Sequence, residues 1–176
     1  MIDVENVTKF ELEGPHVDLG AEDRETQLAI LKKFGVLLYK ITKQDPELCM
    51  AAVQQNPYAL QYVLKQDEKI CLAAVQADPH CLKFVRRQTR KICLAAVKAD
   101  SFALQYVRRQ TPEICLEAVQ NNPESLRFVL NQTEEICLVA VKRSAYSLRY
   151  VRNITDKVYD AAFERLPYAA QEYGRR

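Results

Sequence analysis

The hexapeptide ICLAAV occupies residues 70–75 and recurs unchanged at residues 92–97. Close variants begin at Leu48 (LCMAAV), Ile114 (ICLEAV) and Ile136 (ICLVAV). Their cysteines, Cys49, Cys71, Cys93, Cys115 and Cys137, follow a constant step of 22 residues. A step this regular marks a repeat array, whose units are too small to bury an apolar face alone and bury it against their neighbours.

The frame extends from residue 23 with no insertion, as units 23–44, 45–66, 67–88, 89–110, 111–132, 133–154 and 155–176. Each unit opens on Asp23, Asp45, Asp67, Thr89, Thr111, Thr133 or Thr155. These residue types cap helices, because the side-chain oxygen accepts from a free N–H of the first turn. Pro46 and Pro112 follow at the first helical position, where a missing N–H costs nothing. A helix of about ten residues is expected from there, as DPELCMAAVQQ in the second unit. The twelfth position caps again (Asn56, Asp78, Asp100, Asn122, Ser144), often with proline next (Pro57, Pro79, Pro123). It predicts a second helix, PYALQYVLK in the second unit. Its buried stripe is expected to be the Leu slot of Leu60, the aromatic slot of Tyr62 and the Val slot of Val63, with their equivalents.

The expected fold is therefore all-α: an α-solenoid of seven stacked 22-residue helix-turn-helix repeats with an irregular N-terminal cap. The end units are degenerate, with Gln27 and Tyr159 in the Cys slot. Residues 1–22 stand outside the repeat. Val4, Val7, Phe10 and Leu12 suggest a short strand or an apolar edge, interrupted by Gly14, Pro15 and Gly20. This leader reads as a cap over the first repeat or as a partly disordered segment.

Of the 176 residues, 48% are apolar, too many for a disordered chain. No apolar run reaches the roughly 18–20 residues of a membrane span. Met1–Glu5 lacks the basic-then-apolar start of a signal peptide, so a cytoplasmic protein is expected. Net charge is +2. The leader holds six acidic residues and one lysine, so the repeats carry the positive excess. Five of the six cysteines share one slot of the repeat. Stacked helices lie roughly 8–10 Å apart, too far for a disulfide, and no close ligand pair suggests zinc. They read as small buried hydrophobes. Cys81, in a slot otherwise held by Ala, Ser or Leu, reads likewise as core.

The motif AAVxxNPxALxYV at a 22-residue step resembles the short helical repeat known as domain of unknown function 4116, found in bacterial, phage and giant-virus proteins. The likeness is best over residues 45–154. The regular Cys slot, and Pro or Ser after the second cap, depart from the family pattern. The resemblance implies an α-helical array and no established chemistry.

Nothing in the chain forms a catalytic constellation. The histidines are His16, in the leader, and His80, at a variable slot, and only four glycines are present. No enzyme activity, cofactor or metal is expected. The informative surface is the outer face of the second helix, where three slots per unit vary while the core slots repeat. Candidate binding residues there are Tyr58, Lys65, His80, Lys83, Arg87, Phe102, Arg109, Arg127, Tyr146 and Arg149, with Arg86, Arg108 and Arg152 beside them. The residues leave two functional readings. One is a protein-binding scaffold, since aromatics with arginine anchor interfaces; the family's setting adds, by analogy, an inhibitor or effector that occludes a partner. The other is single-stranded RNA binding, with bases on Tyr58, Phe102 and Tyr146 and phosphates on the basic slots. A plainer origin of the same pattern is dipole complementation and surface ion pairing with acidic first turns. The acidic leader is also a candidate competitor for a basic binding face.

Overall fold

The computed structural model describes residues 2–14 and 17–173. His16 and residues 174–176 therefore lie outside the described residues. The chain divides into two compact units, Met1–Arg87 and Gln88–Arg176.

All regular structure among the described residues is helical. A short helix, α1 (Lys9–Glu13), precedes seven of ten residues: α2 (Arg24–Lys33), α3 (Pro46–Gln55), α4 (Glu68–Ala77), α5 (Arg90–Ala99), α6 (Pro112–Asn121), α7 (Glu134–Arg143) and α8 (Asp156–Arg165). Their starts lie 22 residues apart, where the caps predict them. Asp45 Oδ1 accepts from the N–H of Glu47 at 2.8 Å and of Leu48 at 2.9 Å. The second caps work similarly: Asn56 Oδ1 takes the Tyr58 N–H at 3.0 Å and Asn122 Oδ1 the Glu124 N–H at 3.0 Å. Ser144 makes no such side-chain bond.

The second element differs from the expected nine-residue helix. It is a six-residue 3-10 helix in Gly35–Lys40, Pro57–Tyr62, Pro79–Phe84, Ser101–Tyr106, Pro123–Phe128 and Ala145–Tyr150, and becomes α-helical only in α9 (Pro167–Tyr173). Val63 closes the last turn onto Leu60 O at 3.2 Å and then adopts extended backbone. The next donor, Leu64 N–H, turns to Gln44 Oε1 at 2.9 Å instead of continuing the helix. The buried stripe is accordingly Ala59, Leu60 and Val63, all 0% exposed. The aromatic slot expected in it (Tyr62, Phe84, Tyr106, Phe128, Tyr150) is only half-buried.

Within each unit, successive hairpins pack α-helix on α-helix and 3-10 helix on 3-10 helix. Ile70, Cys71, Ala74 and Val75 of α4 are at most 3% exposed, as are their equivalents in α5, α6 and α7. The last residue of five frames is a glutamine that joins one hairpin to the next. In the first unit, Gln44 Nε2 donates to Ile41 O and Tyr62 O, both at 3.0 Å, and Gln66 Nε2 donates to Leu60 O and Phe84 O, also at 3.0 Å. Gln66 Oε1 accepts the Arg86 N–H at 2.8 Å. In the second unit, Gln88 links to Tyr106 O and the Arg108 N–H, both at 2.9 Å. Gln110 binds Leu104 O at 3.2 Å, Phe128 O at 2.9 Å and the Leu130 N–H at 2.8 Å. Gln132 binds Leu126 O at 3.1 Å, Tyr150 O at 2.9 Å and the Arg152 N–H at 2.9 Å. The amide uses both its donors and its acceptor on backbone groups that the extended turn leaves open.

The leader forms no strand among its described residues. Thr8 and Glu11 close a capping box on α1, which buries Leu12, and Leu19 is 0% exposed. Lys33 Nζ donates to Val4 O, Glu5 O and Val7 O at 2.9–3.2 Å, and Lys40 Nζ donates to Gly14 O at 2.7 Å and Val17 O at 3.1 Å. Gln27, in the slot held elsewhere by cysteine, donates to Leu19 O at 2.9 Å and Glu22 O at 3.1 Å. The leader thus covers the first hairpin. Gly35 marks a close crossing: a Cβ there would lie 2.2 Å from Ala52 O.

Two outcomes follow from these contacts. Gln110→Leu strands the Phe128 carbonyl and the Leu130 N–H and is expected to cost about 3 kcal/mol in urea unfolding. Removing residues 1–22 exposes the apolar surface beneath Leu12 and Leu19, so the thermal midpoint of the truncated protein is expected to fall by several degrees.

Candidate interaction surface

The variable slots of the second helix meet across successive hairpins. In the first unit, Tyr58 is half-buried and packs edge-on against Phe84, ring centroids 5.9 Å apart. Lys83 Nζ lies 5.2 Å from the Tyr58 centroid and 4.9 Å from that of Phe84. The second unit repeats the arrangement, with Phe102 edge-on to Phe128 at 5.8 Å and the Arg127 guanidinium 4.7 Å from both rings. One hairpin on, Arg149 sits 4.7 Å from the Tyr150 ring. Glu124 occupies the slot that holds Tyr58 and Phe102 elsewhere, and it pairs with Arg149 at 3.2 Å. The quadrupole of each ring attracts the cation over its face.

The other candidate residues are placed differently. Lys65, Arg87 and Arg109 are exposed and stand beyond the 3-10 helix, in the turn, so they do not continue a helical face. Arg86, Arg108 and Arg152 give their backbone N–H groups to the glutamines. The Arg86 side chain also donates to Leu64 O at 2.7 Å and that of Arg152 to Leu130 O at 2.8 Å. His80 is half-buried and its N–H caps onto Asp78 at 2.9 Å. Tyr146 is 47% exposed. Lys65 borders a cleft of about 240 Å³ with Lys43, Pro46 and Leu64. Tyr146 borders another of about 380 Å³ with Arg143 and Arg165.

Ion pairing takes a different route from the one the charge pattern suggests. Acidic first turns are met mainly by basic first turns of neighbouring α-helices: Arg24 with Asp45 at 2.8 Å and with Glu47, Arg90 with Glu113, and Lys157 with Glu134 at 3.2 Å. Arg90 holds the Glu113 carboxyl below its usual range. The second helices contribute Arg149 to Glu124.

All six cysteines are free and buried, as the spacing predicts. In four of the five repeat slots the thiol faces the preceding glutamine, as Cys49 does Gln44 Oε1 at 3.5 Å and Cys115 does Gln110 Oε1 at 3.6 Å. Burial pushes Cys49, Cys71 and Cys115 up to about 11 and Cys81 to about 12. Among the described residues no three His, Cys, Asp or Glu side chains gather as metal ligands. Among them, too, no helix is long and apolar enough to cross a membrane.

A family profile described as domain of unknown function (DUF4116) matches residues 23–66, 89–132 and 111–154, more than half of the chain. The chain belongs to this family. The match takes in α2 and its 3-10 partner, so the DUF4116 pattern reaches the degenerate first repeat, which the leader covers. Comparison with curated proteins and with solved structures found no match. The structural residue that sequence reading overlooks in these DUF4116 repeats is the glutamine. Its signal was present, since Gln44, Gln66, Gln88, Gln110 and Gln132 recur as strictly as the cysteines.

The thiols carry a pH dependence with a definite sign. An unfolded cysteine ionises near 9, whereas Cys71 and Cys115 ionise near 11 when folded. The unfolded chain therefore releases protons first, and this part of the stability is complete below pH 9 and lost as pH rises through 11. The denaturation midpoint of Cys115→Ser is expected to fall less between pH 9 and 11 than that of the parent chain.

Proposed function

We propose that this protein is a non-enzymatic scaffold that binds another protein through the variable slots of its second helices, occluding a surface of that partner. The observation that carries the reading is the contrast between frame and face. The Ile, Cys, Val, Leu and Gln positions hold one residue type through most repeats and are accounted for by packing or backbone hydrogen bonds. The outer slots change from hairpin to hairpin, running Tyr58, His80, Phe102, Glu124, Tyr146 and Gln61, Lys83, Gln105, Arg127, Arg149. Variation at the outer slots of a fixed frame is what selection for a particular partner produces, and aromatic and arginine side chains are common interface anchors. Six free thiols suit a reducing compartment, so the reading places the protein in the cytoplasm.

The second reading, single-stranded RNA, draws on the same rings and cations. Lys83 and Arg127 lie over Tyr58 and Phe102, which leaves less ring face for a base to stack on and favours the protein reading.

Affinity capture from native lysate, followed by mass spectrometry, tests the choice. A protein is expected with the parent chain and not with a folded variant carrying Lys83→Glu, Arg87→Glu, Arg109→Glu and Arg127→Glu. Capture of RNA alone, with affinity falling linearly in log–log salt plots, would replace the scaffold by the nucleic-acid reading.

A further inference from the structure

The chain contains the same cation–ring arrangement in two states. Lys83 lies over Tyr58 and Phe84, and Arg127 over Phe102 and Phe128. Neither cation has an acidic partner among the described residues. Arg149 has the same place over its own ring, Tyr150, but the preceding hairpin presents Glu124 where the other two present an aromatic side chain. The Glu124 carboxylate reaches Arg149 at 3.2 Å. Where an aromatic side chain precedes, the cation is open; where glutamate precedes, a carboxylate fills the position.

We propose that Lys83 in the first unit and Arg127 in the second are each a docking point for a carboxylate of an acidic segment, and that Glu124 is an internal occupant of the equivalent point at Arg149. This rests on the scaffold reading and names the partner's chemistry. The rings hold each cation in place before binding, so less side-chain freedom is lost when an anion arrives. A guanidinium over a ring keeps its N–H edge for a planar, two-oxygen acceptor. Carboxylate is favoured over phosphate because the anion seated against such a cation in this chain is a carboxylate, and because cations cover the rings a nucleobase would need. Once Glu124 is displaced, Arg149 offers a second point beside Arg127 on the adjacent hairpin, roughly 10 Å away by ordinary helix spacing. That separation matches carboxylates three residues apart on an extended segment, at about 3.3–3.6 Å per residue.

The test uses the full chain with an oligoglutamate peptide, and an oligothymidylate of equal charge as the competing probe, both followed by fluorescence anisotropy at low salt. Glu124→Gln vacates the third point and is expected to tighten peptide binding about threefold, while Arg127→Gln weakens it by about the same factor. Phe102→Leu keeps the charge and removes a ring, and it is expected to weaken binding several-fold at any salt. All three sites are on the surface or half-buried, and thermal melts confirm that each variant folds. Unchanged peptide affinity in Glu124→Gln, or tighter binding of the oligothymidylate than of the peptide, would overturn the proposal. Capture of a protein partner that survives Arg127→Gln would remove the carboxylate site and leave the scaffold. Peptide shifts as expected with no protein captured would do the reverse.

Discussion

A half-buried primary amide holds consecutive hairpins together in each unit. The 3-10 helix ends after six residues and releases its backbone into an extended turn, which would leave carbonyls and an N–H without partners at a packed junction. Glutamine is suited to the gap because one side chain offers two donors and an acceptor on a stem long enough to span it. Gln110 reaches backward to Leu104 O and forward to Phe128 O and the Leu130 N–H. Each amide so meets the backbone groups that the early end of the second helix leaves open. Where the slot holds Ile154, the next element is the α-helix α9 and no longer a 3-10 helix.

That arrangement separates what must stay constant from what is free to change. In four repeats the thiol and the amide lie against one another, and the Ala and Val slots beneath them are sealed. A larger or charged residue at any of these positions would disturb two hairpins at once. Slots at the start and middle of the second helix carry no such duty. They accommodate Tyr58, Phe102 or Glu124, and Gln61 or Lys83, on the same backbone. The Gln side chains in the middle slot, Gln61 and Gln105, simply fold onto Tyr58 O and Phe102 O.

Helix starts were legible to the residue because caps and prolines act locally, through N–H groups two or three positions away. The burial of the cysteines was legible because an apolar slot repeated in register can only be core. The type and length of the second helix were not. Six residues span two turns of a 3-10 helix and less than two of an α-helix, so apolar spacing does not distinguish them. The glutamine was hidden for a different reason: its partners lie 18 and 20 residues ahead, and a polar residue beside Asp or Thr reads as loop. For the outer slots, charge and aromaticity were visible in the sequence, whereas the seating of Lys83 and Arg127 over rings from two hairpins required the packed structure. In the leader, apolar spacing suggested a strand, but Thr8 and Glu11 stabilise a turn of helix there, and Lys33 and Lys40 occupy its carbonyls.

The reach of the glutamine side chain sets how the protein can be made. Each amide closes on groups no more than 20 residues further along, so a hairpin needs only its immediate successor to be complete. Chains dominated by such near-neighbour contacts fold quickly. On the ribosome, every unit can therefore settle soon after the following one emerges, with no wait for a distant segment to close the core.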